Sequence, residues 1–429
     1  VNFQENKAEI EESIESVFEK KKREILSNKS DFKKNGRKVK SGVETEYFLI
    51  EDSLEPLESP SKRNQIIKDV EGVKKELGID SVEIATVPIY LEDLKKLEES
   101  IRSREDELTS KAEEKGLEVI RSGTNPFRSL ENLKLSEKKF FQQINNYYNK
   151  KGTETIGEVE KVDVGDAKSV SLISAIHTNI EASSFEDAIS KANYIYMISP
   201  YISALSGNAR FLEGKDTGLS DLRMILWSKS HSMGDKQIGR LESYYSDMND
   251  YLDRVGSWPF ILERPEKVIS DSISRYWKDS RIKFLEDDLV VESRIASTQP
   301  SVVEDVAVHA FCIGRVLYAQ DRNEQLLNIE KVNENREAAL RDGLDSKLYS
   351  PEGVKLEASE LLLDEIEKAR KGLEANNIKQ KSYLELLESR VKSNKTPSDR
   401  VAEDMKKVES EENSKALFDA VNNNVQEVE

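Results

Sequence analysis

The stretch S-A-I-H-T-N-I-E-A at residues 174–182 decides how the rest of the chain is read. Ile176 and Ile180 alternate with His177, Asn179 and Glu181. A period of two predicts a strand on which those three polar residues share one face. A helical pattern follows, then a turn-rich run, S-A-L-S-G-N-A-R-F-L-E-G-K-D-T-G-L-S-D-L-R-M-I-L-W, at residues 203–227. This run holds Arg210, Glu213, Lys215, Asp216 and Arg223. Polar groups on a sheet face beside a charged loop are what a phosphate-and-metal site requires.

Three more segments repeat the pattern. G-V-E-T-E-Y-F-L-I-E-D (42–52) points Glu44 and Glu46 to one face and Val43, Thr45 and Tyr47 to the other. I-D-S-V-E-I-A-T-V-P (79–88) sets Glu83 between Val82 and Ile84, and L-V-V-E-S-R-I-A-S (289–297) puts Glu292 and Arg294 on one face. With Y-W-K-D-S-R-I-K-F (276–284) and the acidic turn after it, the last of these predicts a hairpin. Crowded carboxylates repel one another and resist ionisation unless a cation neutralises them, and hard oxygen donors favour Mg²⁺. Arg294 is placed to hold a phosphate beside that ion, and Arg223 to clamp a substrate carboxylate or the charge that develops in phosphoryl transfer. Taken singly, each of these residues is better explained as an ordinary charged strand face or a hydrogen-bonded histidine; the ordered combination is far less common.

Helical periodicity covers residues 5–28, where Ile10, Ile14, Val17, Phe18 and Ile25 share a side, then 61–78 up to Gly78, about 90–115, and 236–255 with Tyr244 and Tyr245. Beyond about 302 it continues almost to the end, with breaks near Gly343, Pro351 and Pro397. Residues 33–40 form a basic loop, and the polar tail from 393 is expected to fray. This predicts an α+β fold in three parts: a helical extension (1–36), a catalytic domain (37–345) and C-terminal helices packed on it (346–429).

Composition narrows the function. The 429 residues carry 65 Lys and Arg against 82 Asp and Glu, a net charge of −17 that disfavours nucleic acid and anionic membrane as partners. Charges interrupt every apolar run short of the ~18 residues a membrane helix needs, and a cytoplasmic location is expected. One cysteine, Cys312, and three histidines exclude a Cys/His zinc cluster and an intramolecular disulfide. Gly207 and Gly214 are too far apart for a P-loop, and Asp216 follows Lys215 where such a loop needs Ser or Thr. There is no G-x-G-x-x-G and no nucleophile elbow.

The ordered set G-V-E-T-E, G-T-N-P-F, I-H-T-N-I-E, A-L-S-G-N-A-R-F-L-E-G-K-D-T-G-L-S-D-L-R, Y-W-K-D-S-R, V-E-S-R and E-N-R-E-A-A-L-R-D-G-L-D resembles the carboxylate–amine ligase family. That family includes glutamate–cysteine ligases and shares the glutamine synthetase catalytic fold; the resemblance spans about residues 40–395. It implies an antiparallel sheet whose concave face binds ATP and two or three Mg²⁺, with helices packed on the other side. The family's metal ligands carry over onto Glu44, Glu46, Glu83, His177 and Glu292, and its catalytic arginines onto Arg294 and Arg223. Arg281, Asn179 and Thr124 fall in the substrate- and ATP-binding set.

The activity so implied is glutathione-biosynthetic: ATP-dependent joining of glutamate to cysteine through γ-glutamyl phosphate. Its partners are small molecules, and a homo-oligomer stays open. Three alternatives stand beside it: a ligase for another amine, a kinase on the same fold, and a non-catalytic ATP-binding scaffold. A coiled-coil interaction module is disfavoured because no heptad is sustained.

Overall fold

Alternating side chains build the central sheet of the computed structural model, which describes residues 3–32, 40–92, 94–148, 150, 152–165, 167–262, 264–285, 288–379, 382–407 and 413–425. Its strands are β1 (Lys40–Glu51), β2 (Val73–Lys75), β3 (Ser81–Ala85), β4 (Ile89–Tyr90), β5 (Leu117–Ile120), β6 (Ile176–Ala182), β7 (Ser280–Leu285) and β8 (Asp288–Ser293). They lie in the order β7-β8-β6-β1-β3-β2, with β4 and β5 paired to the two ends of β1, and every pair is antiparallel. The long β1 is the spine. Glu44 lies opposite His177 of β6, and Glu46 opposite Glu83 of β3.

One face of the sheet is covered by helices, as an α+β layer requires. Val302–Arg322 crosses it, its Asp305 accepting from the Thr45 hydroxyl at 3.4 Å. His309 of this helix sits 3.0 Å from Ser41 Oγ and 3.1 Å from Thr178 Oγ1, so its ring joins helix to sheet. Phe185–Ser206 is apolar on nearly every side and almost wholly buried, the pattern of a helix enclosed by protein. Ala358–Ala375 packs on Val302–Arg322 at paired glycines: a Cβ on Gly372 would lie 1.9 Å from the Gly314 carbonyl oxygen, so neither helix tolerates a side chain there. Buried ion pairs, Arg315 with Glu365 and Arg390 with Glu304, fix these outer helices. Cys312 is buried in the same layer, its thiol pushed up to about 12 by desolvation, which leaves it inert.

Three segments differ from the sequence reading. The helix expected over 61–78 is Ser61–Asp69 only; Val70 turns extended, Gly72 takes φ +83°, and the chain enters β2 instead. The helix expected over 236–255 is Met248–Gly256. Gly239 holds φ +63°, Asn193 pins the Tyr245 backbone by two hydrogen bonds, and Asp247 caps a new helix start. Beyond 393, the chain forms helices Pro397–Met405 and Asn413–Asn422 rather than fraying. Thr396 and Asp399 make a capping box, and the helices bury Val401, Leu417 and Phe418 against Phe48 and Ile50 of β1. Residues 33–39 of the expected basic loop lie outside the described residues. Among the described residues no helix is long and apolar enough to cross a membrane.

Phe48 and Ile50 continue the face that carries Glu44 and Glu46, so the terminal helices seal one end of that face. Phe418→Ala is therefore expected to cost about 3 kcal/mol, the usual loss for a large side chain cut from a core. Urea denaturation measures it; a loss below ~0.5 kcal/mol would show that the tail is not part of the folded core.

Candidate active site

The open face of the sheet collects charge from five strands and the residue just after β8. β1 supplies Glu44 and Glu46, β3 Glu83, β6 His177, and β8 Glu292 followed by Arg294. Arg281 and Lys283 come from β7, where Arg281 lies opposite Glu292. Two sets of three ligand atoms converge to within 4.8 Å of one another: Glu44, His177 and Glu292, and Glu46, Glu83 and His177. His177 belongs to both.

The two sets differ in charge. Glu292 is fully buried and accepts from Arg281 Nε at 2.7 Å, Arg294 at 2.9 Å and Lys283 Nζ at 2.9 Å. Desolvation opposes its ionisation, but these cations outweigh it and hold the carboxyl well below its usual range. Burial likewise opposes ionisation of Glu44. His177 at 3.4 Å and Lys283 at 3.1 Å reverse that and hold it at about 2. On the other side Glu46 is pushed up to about 7 by burial and by Glu83. Glu83 rises to about 8 through burial, Glu76 and Glu44, and Glu76 to about 8 through burial and Glu46. Burial, with Arg294 adding to it, lowers His177 to about 4, so its ring is neutral at pH 7 and can act as a ligand.

Glu44, Glu46, Glu76, Glu83 and His177 line a cavity of about 230 Å³. Arg223, Arg281 and Arg294 line it too, and Phe140, Phe141, Ile144, Trp227 and Trp277 add an apolar wall. Arg223 starts helix Arg223–Ser230, is held by the Ile295 carbonyl at 2.9 Å, and keeps a buried Nε without a partner. Oxygen donors, one neutral imidazole and the crowded carboxyls of Glu46, Glu76 and Glu83 fit a hard divalent ion. The guanidiniums fit phosphate or carboxylate.

Eight of the ten sequence-derived residues meet on this face: Glu44, Glu46, Glu83, His177, Glu292, Arg223, Arg281 and Arg294. Asn179 pairs with Glu292 across β6 and β8 but does not line the cavity, and its Oδ1 is buried without a partner. Thr124 is elsewhere: its hydroxyl donates to the Phe211 carbonyl at 3.1 Å, in a separate cleft with Pro126 and Ser398. Glu181 shares the strand face but accepts the Lys40 backbone N–H at 3.2 Å, outside the cavity.

Sequence reasoning missed Glu76, Lys283 and the aromatic wall. Lys283 was within reach, because two residues beyond Arg281 on a strand is the same face. Glu76 was concealed by the helix assigned over it.

A pH effect follows from the raised carboxyls, Glu46, Glu76 and Glu83. Their folded-state pKa values lie above the unfolded ones, so the metal-free native chain binds more protons and loses stability as pH rises from about 4.5 through 8. A divalent ion replaces those protons. The rise in Tm caused by Mg²⁺ is expected to be larger at pH 8 than at pH 6. Equal shifts at both pH values would contradict this assignment.

Residues 40–420 match the model of the family described as glutamate-cysteine ligase family 2. A glutamate–cysteine ligase of Haloquadratum walsbyi is 22% identical over 321 residues, covering 72% of this chain and 80% of that protein. A Gloeobacter violaceus protein provisionally named glutamate–cysteine ligase 2 is 25% identical over 286 residues, 65% of this chain and 68% of its own. Among solved structures, glutamate–cysteine ligase from Francisella tularensis in complex with AMP aligns with a TM-score of 0.56 at 14% identity, covering 92% of this chain and 89% of the other. A bifunctional glutathione synthetase from Pasteurella multocida gives 0.60 at 12% identity, covering 94% of this chain and 55% of that one. At these identities the two structures establish a common fold, the curled antiparallel sheet backed by helices.

Proposed function

The chain belongs to glutamate–cysteine ligase family 2, and from that premise we propose that it joins the γ-carboxylate of glutamate to the amine of cysteine at the expense of ATP. One observation carries the reading: two carboxylate–imidazole groups sharing His177 gather with Arg223, Arg281 and Arg294, and all of these residues except Glu292 line a single cavity.

The residues that would hold Mg²⁺ are those two groups, Glu46, Glu83 and His177, and Glu44, His177 and Glu292; the ion would neutralise the phosphate oxygens. Arg294, anchored on Glu292, presents its guanidinium to the transferring phosphoryl group, and Arg223 offers a second donor from the start of helix Arg223–Ser230. With the phosphates so held, a glutamate γ-carboxylate oxygen attacks the γ-phosphorus and the bond to ADP breaks. The cysteine nitrogen then attacks the acyl carbon of γ-glutamyl phosphate. Phosphate leaves with the bonding pair, and the nitrogen loses a proton. No covalent enzyme intermediate is required. Positioning and charge neutralisation supply the acceleration, and the apolar wall limits water that would hydrolyse the acyl phosphate.

Phosphate release from Mg-ATP and glutamate, with cysteine and with a panel of other amines, tests the reading. Strong stimulation by cysteine with a γ-glutamyl product is expected. Stimulation by another amine alone would reassign the acceptor. ATP binding without turnover in any combination would support the scaffold alternative.

A further inference from the structure

The two ligand groups do not start from the same state. Glu46 accepts the Ala175 backbone N–H at 2.7 Å, with Arg223 and Arg294 at longer range, and the ammonium nearest Glu83, Lys74 at 3.4 Å, has 60% of its side chain in solvent. The Glu44–Glu292 pair, by contrast, is spanned by one largely enclosed amine. Lys283 Nζ lies 2.9 Å from Glu292 Oε1 and 3.1 Å from Glu44 Oε1, with only 17% of its side chain exposed.

That bridge is long. Lys283 belongs to the edge strand β7 and Glu44 to β1, three strands away, about 14 Å of sheet at ~4.8 Å per strand. A lysine and a glutamate close such a span only with both side chains reaching inward over the concave face. Strand alternation sends Lys283 to the side of Arg281, so the sequence positions it there.

We infer that the Lys283 ammonium occupies the cation position between Glu44 and Glu292, so that this chain carries a built-in monovalent cation where its ligands otherwise offer a second divalent site. This rests on the proposed reading that the face binds divalent ions, and it narrows that set. An ammonium has three donors, enough to serve one oxygen of each carboxylate. With Arg281 and Arg294 also on Glu292, three cations face two carboxylates, and the surplus positive charge repels a further divalent ion. His177 is then left to the Glu46–Glu83 group, where carboxylates are in excess.

Mn²⁺ titration of the full chain without nucleotide, read by electron paramagnetic resonance, tests this. Lys283→Met is expected to bind one more Mn²⁺ per chain than wild type, and Lys283→Arg the same number as wild type. Adding Glu44→Gln to Lys283→Met is expected to remove the additional ion. Glu44→Gln alone, which does not depend on the methionine variant folding, is expected to leave the wild-type count unchanged. Equal counts for wild type and Lys283→Met, or loss of an ion from wild type on Glu44→Gln, would overturn the inference while leaving the ligase reading in place. A wild-type chain that binds no Mn²⁺ would overturn the metal reading and this inference together.

Discussion

Glu292→Gln is expected to lower Mg²⁺-dependent ATP turnover by at least ~100-fold and to remove about 3 kcal/mol of stability. Both effects follow from one arrangement: Glu292 is buried, and both its oxygens are engaged by Arg281, Lys283 and Arg294. Glutamine removes the negative charge and turns one acceptor into a donor that faces donors. Three largely buried cations then lack their counter-ion, the situation in which breaking a buried pair is most costly. Arg294 also loses the carboxylate that fixes its guanidinium toward the cavity. Stopped assays of phosphate release and urea denaturation measure the two effects. Turnover within twofold of wild type would show that Glu292 does not organise the site.

Arg294→Met is expected to reduce kcat by about a thousandfold, the scale on which a preorganised donor to a transferring phosphoryl group acts. Its guanidinium is held by Glu292 at 2.9 Å, lines the cavity with Glu46, and needs no reorganisation when charge develops on the substrate. Arg294→Lys keeps the charge but not the fork that can serve Glu292 and a phosphate at once, so its rescue is expected to be partial. Steady-state kinetics distinguish the roles. A rise in KM for ATP with kcat unchanged would place Arg294 in ground-state binding alone.

Much of this face was legible in the sequence because a strand writes its sides in alternate residues. Glu44 with Glu46, and Glu292 with Arg294, could be paired without knowing which strands adjoin. The partners across strands, Glu44 with His177 and Glu46 with Glu83, depend on register, which no local pattern states. Glu76 escaped because a charged, helix-compatible run continued past the turn at Gly72, and only the pairing of β2 with β3 makes that segment a strand. Trp227 and His231, one helical turn apart, meet Trp277 from a distant segment beside the cavity, and Trp277 stands 5.4 Å from each of the other two rings. Nothing local announces the approach of Trp277. Thr124 shows the reverse error: a motif residue whose backbone neighbours, not the cavity, take its hydroxyl.

The most direct test of the central claim follows the oxygen atoms of glutamate. Glutamate labelled with oxygen-18 in its γ-carboxylate is supplied with Mg-ATP and cysteine, and the released phosphate and the amide are weighed by mass spectrometry. Transfer of one labelled oxygen to each phosphate, with the other retained in the γ-glutamyl product, is the predicted result. Unlabelled phosphate accompanying amide formation would contradict an acyl phosphate formed on this face.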